Sequence, residues 1–150
     1  MGRILSVDPG EKNIGLAISD PLGITARSLG VIRHVGRDQD VQKIVSIALE
    51  NDAETILIGQ AVGQNGEIGP SARHAQNLAD AVRQNFRGEV ILWDESGSTN
   101  AVQDLYITMN VPKSKRRGHQ DARAAAYILQ DYLDWLAFQK QYKKEDQRDE

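Results

Sequence analysis

Apolar positions along this chain change period several times, and each change predicts an element. Ile4, Leu5 and Val7 form a short run of strand formers that stops at Asp8, where Pro9-Gly10 breaks it. Ile14, Leu16 and Ile18 then alternate with Gly15, Ala17 and Ser19, the period of a strand with two distinct faces. The two runs read as a hairpin across a turn holding Gly10 and Asn13, and the first strand reads as buried on both faces. A weaker third strand is expected over 27–32, with Gly30 marking a bend or bulge. Val41, Ile44, Val45, Ala48 and Leu49 fall on one helical face, with Asp38 or Asp40 as cap and Asn51-Asp52 as the end. Thr55-Ile56-Leu57-Ile58 is the short, wholly apolar kind of strand found in parallel sheets.

Residues 59–69 carry four glycines and end at Gly69-Pro70, a good helix start because proline suits the first helical position. The helix predicted over 71–86 turns Ala72, Ala75, Leu78, Ala79 and Val82 inward, and Gly88 closes it. Val90-Ile91-Leu92-Trp93 forms the next buried strand and runs into Asp94-Glu95. Ser96 to Thr99 caps a helix with Val102, Leu105, Tyr106 and Met109 inward, stopped by Asn110-Val111-Pro112. Gly118-His119-Gln120-Asp121 opens a last helix whose inward positions are Ala122, Ala125, Ala126, Leu129, Leu133 and Leu136. The segment 139–150 is charged throughout and is expected to fray or stay disordered, so residues 1–138 make one domain and 139–150 a tail. The order is an antiparallel meander followed by strand–helix alternation: an α/β fold with a mixed five-stranded sheet and helices on both faces.

Bulk properties sharpen this only in places. The chain has 150 residues, enough for one well-buried domain, and no cysteine, which excludes disulfides and thiolate metal sites. No spanning segment or signal peptide is visible, so a cytoplasmic protein with no membrane partner is expected. The net charge is −3, yet Lys113, Lys115, Arg116 and Arg117 place four of the 18 basic residues in one stretch, against 21 acids overall. Such a segment on an acidic body suits either a phosphate-binding patch or a solvated loop. The glycine-rich stretch 59–69 lacks a Gly-Lys-Ser/Thr ending, so it is not a P-loop.

The chemistry rests on carboxylates. Asp8 ends the central strand, where it either opens a turn with Pro9-Gly10 or serves as a ligand or phosphate-loop aspartate. Glu95 ends another strand, and Asp121 starts the helix that could cover both. Three carboxylates within about 4 Å would repel by roughly 4 kcal/mol per pair at an effective dielectric of 20, so such a cluster implies cations. With oxygen ligands only, these are Mg²⁺ or Mn²⁺, and the reaction that uses such a site is two-metal phosphodiester hydrolysis.

The stretch from Asp8-Pro9-Gly10-Glu11-Lys12-Asn13 through Ile18-Ser19-Asp20 resembles the opening motif of the YqgF family. These are Holliday-junction-resolvase-like proteins of the RNase H superfamily, also described as maturing the 5′ end of 16S ribosomal RNA. Asn65-Gly66-Glu67-Ile68-Gly69-Pro70, Asp94-Glu95 with Ser98-Thr99, and Asp121 leading into Ala124-Ala125-Ala126 follow in family order over residues 3–135. The resemblance implies an RNase H-like fold and makes Asp8, Glu95 and Asp121 the metal-binding catalytic carboxylates. Two departures stand out: Ser96-Gly97 replaces the family's Arg-Leu after Asp-Glu, and Gln60-Ala61 replaces its Leu-Pro after the strand-ending glycine.

On this reading Lys12 contacts a backbone phosphate, and Lys113, Lys115, Arg116 and Arg117 track structured RNA or branched DNA with little sequence preference. His119 is read as a cap of the last helix, Asp20 as a turn residue and Asp94 as a supporting partner. The leading function is a nuclease in pre-16S rRNA 5′-end processing, as a monomer or weak homodimer. The alternatives are a Holliday-junction resolvase, a nucleic-acid-binding module without turnover, and an ATPase of the actin or sugar-kinase kind. The last needs two such domains, and this length supplies one.

Overall fold

The computed structural model describes residues 2–60, 68–94 and 122–148. Its elements run β1 Arg3–Pro9, β2 Asn13–Ser19, β3 Ala26–Arg33, α1 Arg37–Glu50, β4 Ala53–Gln60, α2 Pro70–Asn85, β5 Glu89–Asp94 and α3 Ala122–Arg148. The sheet order is β3-β2-β1-β4-β5, which puts β1 at the centre. β1 pairs antiparallel with β2 and parallel with β4, and β4 pairs parallel with β5. This is the mixed five-stranded sheet that the alternation of periods predicts.

Strand periodicity divides the core in two. Leu5 and Val7 of β1, Ile14, Leu16 and Ile18 of β2, and Ile56 and Ile58 of β4 pack with Val41, Ile44 and Ala48 of α1 and Ala75, Leu78, Ala79 and Val82 of α2. On the other face Ile4, Ala17 and Leu57 pack with Ala125, Ile128, Leu129, Tyr132 and Leu133 of α3. Successive strand residues point to opposite faces, so Ser6 and Asp8 share the α3 face with Ile4.

Several element ends follow from single residues. Gly30 has φ 153°, and the β2–β3 register slips there, pairing Leu16 with Gly30 but Ala17 with Ser28. Leu29 is the extra residue of the expected bulge. Asp52 takes a left-handed φ of 55° just after α1, as a helix terminus at Asn51-Asp52 requires. Neither Asp38 nor Asp40 caps α1, however: Gly36 is the N-cap and makes no side-chain cap bond. Asp40 is instead buried in the first turn, for a reason given below.

β5 is less covered than a fully buried strand, with Val90 to Trp93 only half-buried. It is an edge strand, and the segment that follows it in the chain lies outside the described residues. α3 runs on to Arg148, through the charged stretch expected to fray from 139. The expected helix around 102–109 and the basic segment 113–117 lie outside the described residues.

Candidate active site

β1 is buried from Ile4 to Asp8, and Asp8 itself is only 2% exposed. Pro9 then brings the strand to its end, and the turn is closed by the Gly10 N–H donating to the Asn13 carbonyl at 3.0 Å. Lys12 sits exposed on this turn, and its carbonyl accepts the His34 N–H at 2.8 Å, tying the turn to the end of β3. Asp8 pairs with Gly15 on β2. On the other side Val7 pairs with Ile58, so Asp8 lies level with Gly59, which in turn pairs with Trp93.

Gly59 belongs to the α3 face by alternation with Leu57. A residue without a side chain therefore separates Asp8 from Trp93 on this face of the sheet. The same edge carries Gln60 and Asp94, paired across β4 and β5. A buried carboxylate at the end of a central strand, beside a glycine and near a second acidic strand end, is a place where a cation would repay its own desolvation. An all-oxygen donor set suits a hard ion such as Mg²⁺ or Mn²⁺. Among the described residues no three metal-capable side chains converge. Of the predicted catalytic carboxylates the structure thus places Asp8; Glu95 and Asp121 lie outside the described residues, as do Lys113, Lys115, Arg116, Arg117 and His119.

Two further acids have structural roles. Asp20 accepts the N–H groups of Ile24 at 2.7 Å, Thr25 at 2.8 Å and Leu22 at 3.3 Å, holding the β2–β3 turn. These bonds, that from Thr25 foremost, pull its carboxyl below the ordinary carboxylate range. Asp40, 1% exposed, accepts the Val35 N–H at 3.0 Å and is hydrogen-bonded to His34 Nδ1. The His34 ring meets His74 edge-on, with centroids 5.5 Å apart. Burial, and then the charges of His34 and Arg37, push the His74 imidazole below its ordinary pKa. Sequence reasoning missed this cluster, although one signal was present. Asp40 precedes Ile44 by one turn and Ala48 by two, so it stands on the apolar stripe of α1 and requires a partner there.

Residues 2–135 match the family model described as RuvX, Holliday junction resolvase. A protein of Clostridium perfringens named "Putative pre-16S rRNA nuclease" is 39% identical over 135 residues, covering 90% of this chain and 98% of that protein. The chain belongs to the RuvX family. This is the YqgF family that the motif order suggested. A Clostridium beijerinckii protein of the same name is 38% identical over 135 residues, again covering 90% of this chain and 98% of that protein. Among solved structures, Thermus thermophilus RuvC in complex with a Holliday junction substrate aligns with a TM-score of 0.56 at 12% identity, covering 86% of this chain and 90% of that one. A second Thermus thermophilus RuvC structure aligns with a TM-score of 0.51 at 14% identity, covering 87% of this chain and 93% of that one. At such identities the likeness is one of fold, and it makes the RuvX chain RNase H-like.

Proposed function

We propose that the protein is a metal-dependent nuclease that hydrolyses phosphodiesters of structured RNA and trims the 5′ end of precursor 16S rRNA in the cytoplasm. The observation that carries this reading is the buried Asp8 carboxylate at the end of the central strand. It occurs in a chain whose relatives over 135 residues bear the nuclease name. Asp8, Glu95 and Asp121 hold Mg²⁺ or Mn²⁺. A bound divalent ion lowers the pKa of its water and offsets the charge on the phosphoryl oxygens.

The chain's own residues do the rest. Lys12, exposed on the adjoining turn, contacts a neighbouring phosphate. Lys113, Lys115, Arg116 and Arg117 follow the backbone further out, and the protein works as a monomer or weak homodimer. The description of the family favours a second substrate, a branched DNA junction. Parallel assays on structured RNA and on a four-way DNA junction separate the two.

The test is an Asp8→Asn variant assayed with Mn²⁺ on both substrates. Cleavage is expected to fall to background while the thermal midpoint holds, because asparagine fills the same volume. Unchanged cleavage by this variant, in a preparation free of other nucleases, would overturn the assignment. Salt-dependent RNA binding by the wild type, without cleavage or metal uptake in calorimetry, would point to the binding module instead.

A further inference from the structure

On the α1–α2 side of the sheet, away from the α3 face that carries Asp8, lies a cleft of about 460 Å³. Pro9, Gly10 and Glu11 wall it from the β1–β2 turn, Pro70 and Ser71 from the start of α2, and the His34 and His74 rings line it. The two rings come from distant parts of the chain, one just beyond the end of β3 and the other in the second turn of α2. Neither has a part in the carboxylate chemistry.

His34 is held as a metal ligand is held. Its backbone N–H is bonded to the Lys12 carbonyl, and its Nδ1 to the buried Asp40 carboxylate, which also accepts the Val35 N–H. An ionised carboxylate only accepts, so Nδ1 carries the proton of the neutral ring and Nε2 keeps a lone pair. A carboxylate in that position fixes the tautomer and raises the basicity of the nitrogen that faces a metal. The second ring stands at a matching separation. The His34 and His74 centroids are 5.5 Å apart, with the rings inclined at 75°. Two imidazoles on one tetrahedral Zn²⁺, with metal–nitrogen bonds of about 2.0–2.1 Å, bring their centroids to about 5.2 Å.

We propose that His34 Nε2 and an imidazole nitrogen of His74 hold a Zn²⁺ ion in this cleft. Imidazole suits Zn²⁺, whereas Mg²⁺ prefers oxygen, so the site selects a different ion from the one at the carboxylates. No third metal-capable side chain converges with the two rings among the described residues, so water completes the coordination. Charge in the surroundings admits a cation. Arg37 and Asp40 act on the His74 ring with opposite sign, and Glu11 in the lining adds a second acid. Asp40 acts through His34 and is a positioning residue. The bound ion joins the end of β3 to α2, and it does so whether or not the protein cleaves phosphodiesters.

The test titrates Zn²⁺ into the full chain by calorimetry at pH 7.5, in a large excess of Mg²⁺ that occupies oxygen-only sites, and compares wild type, His34→Asn and His74→Ala. Asparagine puts its amide nitrogen near the place of Nδ1, so His34→Asn keeps a donor to Asp40 while removing Nε2. His74→Ala leaves the Asp40 bond untouched. The wild type is expected to take up one Zn²⁺ per chain with a saturating isotherm, and its thermal midpoint to rise, because the ion binds the folded chain better than the unfolded one. Both variants are expected to lose the saturation and the midpoint shift over the same range. In long-range ¹H–¹⁵N spectra of the wild type, Zn²⁺ is expected to shift His34 Nε2 and one nitrogen of His74 while the proton stays on His34 Nδ1. A wild type that takes up no Zn²⁺ against Mg²⁺ overturns the site. Uptake equal to wild type in both variants does the same, since the ion then sits on other groups such as His119 or the carboxylates. If His34→Asn does not fold, His74→Ala and the wild-type spectra decide, and an unshifted His34 Nε2 overturns the site.

Discussion

Three backbone N–H groups converge on the Asp20 carboxylate, and this makes the β2–β3 turn sensitive to acid. Its folded pKa is lowered, so the unfolded chain binds the proton more tightly. The stabilisation is therefore complete above the unfolded value of roughly 3.9 and is lost as pH falls through the lower folded value. Urea unfolding at pH 6, 4 and 3 checks this. Asp20→Ala is expected to be less stable than wild type at pH 6 and to lose less on the way to pH 3. Parallel loss in the two proteins would show that the turn bonds do not favour the ionised form. Asp20 and Asp8 were legible as residue types at turns, because Pro9-Gly10 and Pro21-Leu22-Gly23 mark them. The His34–Asp40 bond was not legible, since it joins a strand end to a helix face and no short-range spacing announces it. The acid on the apolar stripe of α1 signals only that a partner exists.

Among the elements, those with strong periodicity came out as the sequence implied. β1, β2 and β4 are short apolar or alternating runs bounded by glycine, proline or asparagine, and Gly69-Pro70 starts α2. Boundaries moved where a competing force acted. Asp40 left the helix cap to bind His34, and α3 kept its backbone bonds through the charged stretch to Arg148. α3 is also the element on which the proposed site depends, because Asp121 immediately precedes it in the chain. Leu129, fully buried against Ile4, Ala17 and Leu57, is central to its seat on the sheet. Leu129→Ala is expected to cost about 2–5 kcal/mol, read as a lower urea midpoint with an unchanged slope. A cost below 1 kcal/mol would mean that α3 is not anchored by this contact.

At the scale of the whole molecule the question is how a chain of net charge −3 holds a polyanion. Nonspecific binding to nucleic acid is driven by release of counterions from neutralised phosphates, so the local arrangement of cations governs it more than their sum. Lys12 stands on the turn after Asp8, and the four cations between 113 and 117 precede Asp121 by a few residues, so in sequence both groups adjoin predicted catalytic carboxylates. If all four of those cations meet single-stranded phosphates, they account for a slope of about −3 in log K against log salt, at roughly −0.7 per contact. Replacing Lys113, Lys115, Arg116 and Arg117 with serine is expected to flatten the measured slope by about that amount and to weaken binding similarly for unrelated sequences. Asp8→Asn in the same titration should keep the wild-type salt slope, because Asp8 neutralises no phosphate. An unaltered slope in the serine variant would place the strand elsewhere on the molecule.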